Sequence, residues 1–261
     1  MRLVDRFYPR VVAQAFFVLV ATLLFANAAI AQTTVIPALS AAPGPFTLLR
    51  PGNLSIIVLG DGFISADYGV TDQGIQVEQS ITRMVSLLGR ATGYQLYIND
   101  NLGNPLNPGT VHHPRYDFGR LQGGLAFNLG ETTYLAVLGG KDVADSHSAS
   151  FEGDFATWLL PTTQHPVNLA VSTLYTTENR IVSNEVDVRA IAYRTDSYTV
   201  TAGGGGAIYA AGFVHGVAGQ GGPDFGIYLP KWLAGFEIQA GYGSPQEYGE
   251  ITIYKQFRFT E

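Results

Sequence analysis

The stretch "IVSNEVDVRAIAY", residues 181–193, alternates in character. Val182, Val186, Val188, Ala190 and Ala192 fall on one side of an extended chain, and Ser183, Glu185, Asp187 and Arg189 on the other. Successive side chains of a β-strand point to opposite faces, so this is a two-faced strand. A soluble sheet buries its valines and shows its charges to water, whereas a membrane barrel turns its valines to lipid and hides its charges inside. Which arrangement holds decides the fold and the class of function.

The N-terminus gives the first context. Arg2, Arg6 and Arg10 precede the apolar run "VVAQAFFVLVATLLFANAA" and the small-residue pattern Ala29-Ile30-Ala31. A basic leader, an apolar stretch and an A-x-A site make a secretory signal peptide, residues 1–31, cleaved after Ala31. A retained membrane anchor is the alternative, because the run approaches the roughly 20 residues that span a bilayer. Removing residues 1–31 takes away three arginines and Asp5, leaving twelve basic and twenty acidic residues, a net charge of −8. Nucleic acid is therefore excluded as an expected partner. The chain has no cysteine, so the exported fold holds without disulfides.

The rest of the composition points to short strands and turns. The chain has 31 Gly, 14 Tyr and 15 Phe with only 14% charged residues, and no apolar run after the leader is long enough for a membrane-crossing helix. A period-2 template places strands at 54–65, 74–81, 84–98, 116–128, 131–140, 149–159, 166–176, 180–193, 198–214, 223–229, 232–242 and 249–259. That is twelve strands, with ten as the alternative count. The expected organisation is a periplasmic segment over 32–53, then one up-and-down antiparallel transmembrane β-barrel over 54–261. Connections of one parity are mostly short, such as Thr82-Arg83 and Pro230-Lys231. The other parity holds "DYGVTDQ", residues 99–115, "KDVADSHS", "TTEN", "AGQGG" and "GSPQE". Short turns at one end and longer loops at the other are the outer-membrane arrangement.

Several strands answer the opening question together. In 232–242, Trp232, Ala234, Phe236, Ile238, Ala240 and Tyr242 oppose Leu233, Gly235, Glu237, Gln239 and Gly241, so aromatics bracket an aliphatic middle. Such a band with aromatic girdles belongs against lipid, and Tyr228 is expected to extend the girdle. A soluble sandwich would show a solvated face rich in Lys and Glu, but the chain has three lysines. The expected lipid-facing set is Val182, Val186, Val188, Trp232, Phe236, Ile238, Phe257 and Phe259. The expected lumen-lining set is Glu78, Arg120, Gln122, Glu185, Asp187, Arg189, Glu237, Gln239 and Arg258.

The last strand, "GEITIYKQFRFTE", alternates Ile251, Ile253, Phe257 and Phe259 with Thr252, Tyr254, Gln256 and Arg258. It resembles the C-terminal strand of bacterial outer-membrane β-barrel proteins. The resemblance implies location in the outer membrane of a Gram-negative-type bacterium, contact with the bilayer and its lipopolysaccharide, and delivery by the barrel-assembly machinery through this strand. Here Phe259 is followed by Thr260 and Glu261, and Lys255 sits in the outward register, where its stem can snorkel to an interface.

Candidate chemistry is sparse. His112, His113, His147, His165 and His215 do not take metal-site spacing, and "AGGGGA" (202–207) lacks the Lys-Ser/Thr of a phosphate loop, so no metal or cofactor is expected. That glycine run reads instead as a bend or a close backbone approach. "DSHSAS", with His147, Ser148 and Ser150, leaves open a membrane-embedded lipid hydrolase, which would need an orienting acid. The lumen set carries both charge signs. It fits a passive channel for small solutes or ions, or a closed structural or adhesive barrel whose charges pair across the lumen.

Overall fold

The computed structural model describes residues 52–65, 68–98, 115–130, 132–143, 148–177, 181–210, 218–243 and 247–259. The leader, most of the 32–53 segment, His112, His113, His147 and His215 lie outside the described residues. Twelve strands follow in chain order: β1 (Leu54–Ser65), β2 (Tyr68–Ser80), β3 (Val85–Ile98), β4 (Arg115–Asn128), β5 (Thr133–Asp142), β6 (Ala149–Leu159), β7 (Val167–Thr176), β8 (Ile181–Arg194), β9 (Thr199–Ala210), β10 (Ala218–Leu229), β11 (Ala234–Gly243) and β12 (Glu247–Phe259). Each pairs antiparallel with its sequence neighbours. β1 pairs with β12 from Leu54↔Phe259 to Ser65↔Tyr248, which closes the sheet into a barrel. Closure leaves no strand edge unpaired, the condition a sheet must meet to sit in hydrocarbon.

Strand ends differ from expectation at two connections. "DYGVTDQ" is not a loop, because β2 begins at Tyr68 and the link from β1 is 66–67 alone. "AGQGG" likewise opens β10 at Ala218. Gly and Asp suggest a turn, but in a barrel an inward position accepts a polar residue. Asp72 is such a position, buried at 1% exposure. The link 99–114 remains by far the longest, and it lies at the end opposite the turns 81–84, 129–132, 195–198 and 230–233. Those turns are locally encoded. Thr82 Oγ1 accepts the N–H groups of Met84 (3.1 Å) and Val85 (3.0 Å), and Thr195 Oγ1 accepts those of Ser197 (3.2 Å) and Tyr198 (3.1 Å). Gly52 and Asn53, assigned to the N-terminal segment in sequence, continue the pairing of β1 with β2 through backbone bonds to Ser80 at 3.0 Å.

The faces sort by chemistry. On β8, Val182 and Val186 point outward half-exposed and Val188 outward at 43% exposure, while Ser183, Asp187 and Arg189 are buried inside. Ile75, Val77, Leu121, Leu125, Val137, Phe225, Ile227, Phe236, Ile238, Ile251, Ile253, Phe257 and Phe259 are likewise exposed on the outer wall. A belt of exposed aliphatic and aromatic side chains this continuous marks an apolar surrounding medium. Polar pairs in that register satisfy each other: Thr173 Oγ1 donates to Asn184 Oδ1 at 3.0 Å, and the Thr133 and Thr157 hydroxyls bond at 2.9 Å. A bulge at Ala192, between Ile191 and Tyr193, reverses the parity of β8 near its end.

Tyr228 overturns an expectation. It does not join the outer girdle. Its ring is buried inside the barrel and stacks on Tyr254 with centroids 6.4 Å apart, against Leu59. The reason is parity, since Tyr228 shares the inward register of Asp224 and Gly226. The stack crosses Gly235, where a Cβ would lie 2.2 Å from the Tyr254 ring.

Inward glycines also set the sheet's curvature. A Cβ at Gly203 would lie 2.0 Å from Val188 O, and one at Gly222 2.1 Å from Ala240 O, so neighbouring backbones close over these positions. The "AGGGGA" run is therefore a place of close backbone approach on the concave face.

Two stability outcomes follow, both measurable by denaturant unfolding in lipid vesicles. Ile238→Arg should cost roughly 2–4 kcal/mol as a cation placed on the outer wall, whereas Gln239→Arg, one residue along and facing inward, should be tolerated. Gly222→Ala should cost about 3 kcal/mol or more by forcing strands apart, while Gly153→Ala, with open space around its Cβ position, should be neutral.

Candidate functional site

The inward side chains collect into two arginine-centred clusters on opposite walls. The first is built on β2, β3, β4, β6 and β7. Arg90 pairs with Glu152 through Nη1 and with Asp154 Oδ2 through Nη2 at 2.8 Å, and it donates twice to Gln76 Oε1 at 2.8 and 3.1 Å. Gln122 Nε2 donates to the second Glu152 oxygen and Ser172 Oγ to the second Asp154 oxygen, both at 2.8 Å. Every carboxylate oxygen here has a donor. Arg90 on β3 thus reaches over β4 and β5 to β6, bracing the barrel across its interior.

The second cluster is built on β8, β10, β11, β12 and β1. Arg189 pairs with Asp187 (2.5 Å), Asp224 (2.7 Å) and Glu237. Glu185, Gln239, Glu250 and Thr252 line the same chamber, and Thr252 Oγ1 donates to Asp61 at 2.9 Å. Six carboxylates therefore share a region with one arginine. Glu185 also lies within electrostatic reach of Asp61, Asp154 and Glu152, so the clusters form one charged belt. The chamber encloses a cavity of about 20 Å³, room for about one water. On β9 its wall is Gly205, whose missing side chain provides that space.

Each residue of the expected lumen set has a definite place. Glu185, Asp187, Arg189, Glu237 and Gln239 come together at the second cluster, and Gln122 belongs to the first. Arg120 bonds Asp142 at 2.7 Å, above the first cluster toward the long-loop end. Arg258 bonds Gln256 Oε1 at 3.1 Å near the short-turn end, where Gln256 also donates to Ser55. Glu78 faces inward, half-buried, beside the first cluster's β2 and β3. Arg90, Glu152, Asp154, Asp224, Asp61 and Glu250 are absent from that set. Parity within the strands carried the signal for all of them. Glu152 and Asp154, for example, alternate with Phe151, Gly153 and Phe155. Their partnerships could not be read, because they join strands far apart in sequence.

Of the outward set, Val182, Val186, Val188, Phe236, Ile238, Phe257 and Phe259 stand on the exterior of their strands, and Trp232 projects from the β10–β11 turn. Lys255 also faces outward. Its Nζ donates to Trp232 O and lies 5.6 Å from the centre of the Phe257 ring, which places its charge beside the aromatic rim. Ser148 and Ser150 are buried at the long-loop end of β6. Among the described residues no three His, Asp or Glu side chains have the arrangement to hold a metal ion.

No protein-family model matches the chain, and no curated protein matches it in sequence. Solved structures do match. An outer membrane channel from Pseudomonas putida F1 superposes with a TM-score of 0.54 at 10% identity, covering 82% of this chain and 99% of that one. The fold is that of bacterial outer-membrane β-barrels. LpxR from Salmonella typhimurium (TM-score 0.45, 10% identity, 78% and 99% of the two chains) and KdgM porin (0.43, 8%, 77% and 99%) are also similar.

Arg90→Met should destabilise the barrel by roughly 3–5 kcal/mol, because it strands Glu152 and Asp154 as uncompensated buried charges. Arg258→Met, at the half-buried short-turn end, should cost under about 1 kcal/mol. Unfolding titrations of the two variants side by side check the ranking.

Proposed function

We propose that the protein is a narrow, cation-preferring channel of the outer membrane. The observation that carries this reading is the charge balance of the second cluster, in which six carboxylates share a region with one arginine that pairs with three of them. Glu185 and Glu250 in this chamber stay partly open to solvent while most charges of the belt are deeply buried. Anions entering such an interior meet like charge at every turn of the wall, and cations meet counter-charges, so selectivity follows from the lining alone. The first cluster supplies the complementary part. Its guanidinium and carboxylates are paired with one another on the opposite wall, which leaves the acidic side as the path. In this reading the exposed aliphatic belt beds in the bilayer and its lipopolysaccharide, Lys255 reaches the headgroups, and β12 serves as the assembly signal. The chain acts by passage of solutes rather than by catalysis, so Ser148 and Ser150 serve packing at the end of β6.

A closed barrel is the second reading, and the deep burial of Arg90, Asp154, Asp187 and Arg189 favours it. The two readings separate in planar bilayers. Refolded protein under a potassium chloride gradient should give single-channel currents with a reversal potential of cation-selective sign. The double variant Glu185→Gln with Asp187→Asn should lower that selectivity yet keep the fold, because Asp224 and Glu237 still hold Arg189. Protein that refolds fully and never conducts would establish the closed barrel instead.

A further inference from the structure

The second cluster already holds a guanidinium, and with more acceptors than that guanidinium uses. Asp187 Oδ1 and Asp224 Oδ1 are buried without a hydrogen-bond donor, as is Thr201 Oγ1. Thr201 is 1% exposed and faces inward in one pairing row with Gly226 and Glu237. Gly226 has no side chain to separate them: a Cβ there would lie 2.6 Å from Thr201 Oγ1 and 3.3 Å from Glu237 Cγ. The hydroxyl is thus directed along the chamber floor toward Glu237. Unsatisfied buried acceptors of this kind call for a ligand rich in N–H donors. A guanidinium offers five in a planar fork that matches carboxylates.

The cavity beside Arg189 has room for about one water, too little for a second cation of this size next to the first. An incoming head must therefore exchange with the resident one. Glu185 gives the displaced arginine a destination. It lies on the same face of β8, four residues before Arg189, within its electrostatic reach and in no ion pair among the described residues. We infer that the chamber is an exchange site for small guanidinium-type cations, which replace the Arg189 head on Asp187, Asp224 and Glu237 while Arg189 swings to Glu185. This rests on the cation-channel reading and names the class of solute that the channel takes.

The test uses refolded full-length protein with methylguanidinium at millimolar concentration, and tetramethylammonium, which has no N–H donor, as the comparison cation. Methylguanidinium should raise the thermal unfolding midpoint in detergent and reduce the potassium current saturably, whereas tetramethylammonium should do neither. Asp224→Asn should weaken both effects about tenfold, the loss of one charge-assisted contact. If that variant does not fold, Glu185→Gln, which leaves the acceptors on Asp187, Asp224 and Glu237 in place but removes the destination of Arg189, should weaken them instead. Potassium conduction with neither effect from methylguanidinium would overturn the exchange site and leave the channel standing. A midpoint shift without any conduction would overturn the channel and leave the site standing. Equal effects of the two cations would overturn the guanidinium specificity.

Discussion

The pairing of β1 with β12 is the constraint on which the rest depends. A sheet with two free edges in an apolar medium would leave a row of backbone N–H and C=O groups on each edge without partners, each costing several kcal/mol. The twelve register pairs from Leu54↔Phe259 to Ser65↔Tyr248 remove both rows at once. They also fix which side chains meet inside. With the seam in place, Asp61 lies beside Thr252, and Leu59 beside Tyr254. A slip of one residue along this seam would turn Ile253 inward and Thr252 outward, so register and interior chemistry are a single choice.

Inside the barrel the usual order of a protein core is inverted. The buried residues are largely Asp, Glu, Arg, Gln, Ser and Thr, and the apolar interior is confined to small groups such as Leu88, Ala126, Tyr134, Ala136 and Leu138, or Leu59 with Tyr228 and Tyr254. Stability here comes from mutual satisfaction of polar groups rather than from their removal from water. The two arginines differ in this respect. Arg90 has a fully subscribed set of partners and acts as a strut. Arg189 sits among more carboxylates than it neutralises, which leaves that wall electrostatically unfinished and available for a solute.

Much of this was legible in the chain. The strand count, the two faces of β8 and β11, and the inward direction of Arg120, Glu185 and Glu237 follow from alternation alone, because a strand's geometry forces period two whatever its surroundings. Three things were not legible. Tyr228 stands beside a turn, where its ring suggests a girdle, but its parity with Asp224 turns it inward. The start of β2 is hidden by the turn-like composition of "DYGVTDQ", and only the closed barrel shows that Asp72 has an interior to face. The partnership of Arg90 with Glu152 and Asp154 depends on the curvature that brings β3 and β6 together, and no local pattern encodes it.

That strut has a consequence for the order of events in assembly. Arg90 is separated from its two carboxylates by 62 and 64 residues, with β4, β5 and the start of β6 between them. Strands entering the membrane from the N-terminal end would bring the guanidinium in before its counter-charges exist there, and strands entering from the C-terminal end would bring the two carboxylates in first. Either direction passes through a species with bare buried charge unless a water-filled space shelters it. The two ion pairs of Arg90 thus couple β3 to β6: the charge carried by either strand is satisfied only when both stand in the same wall.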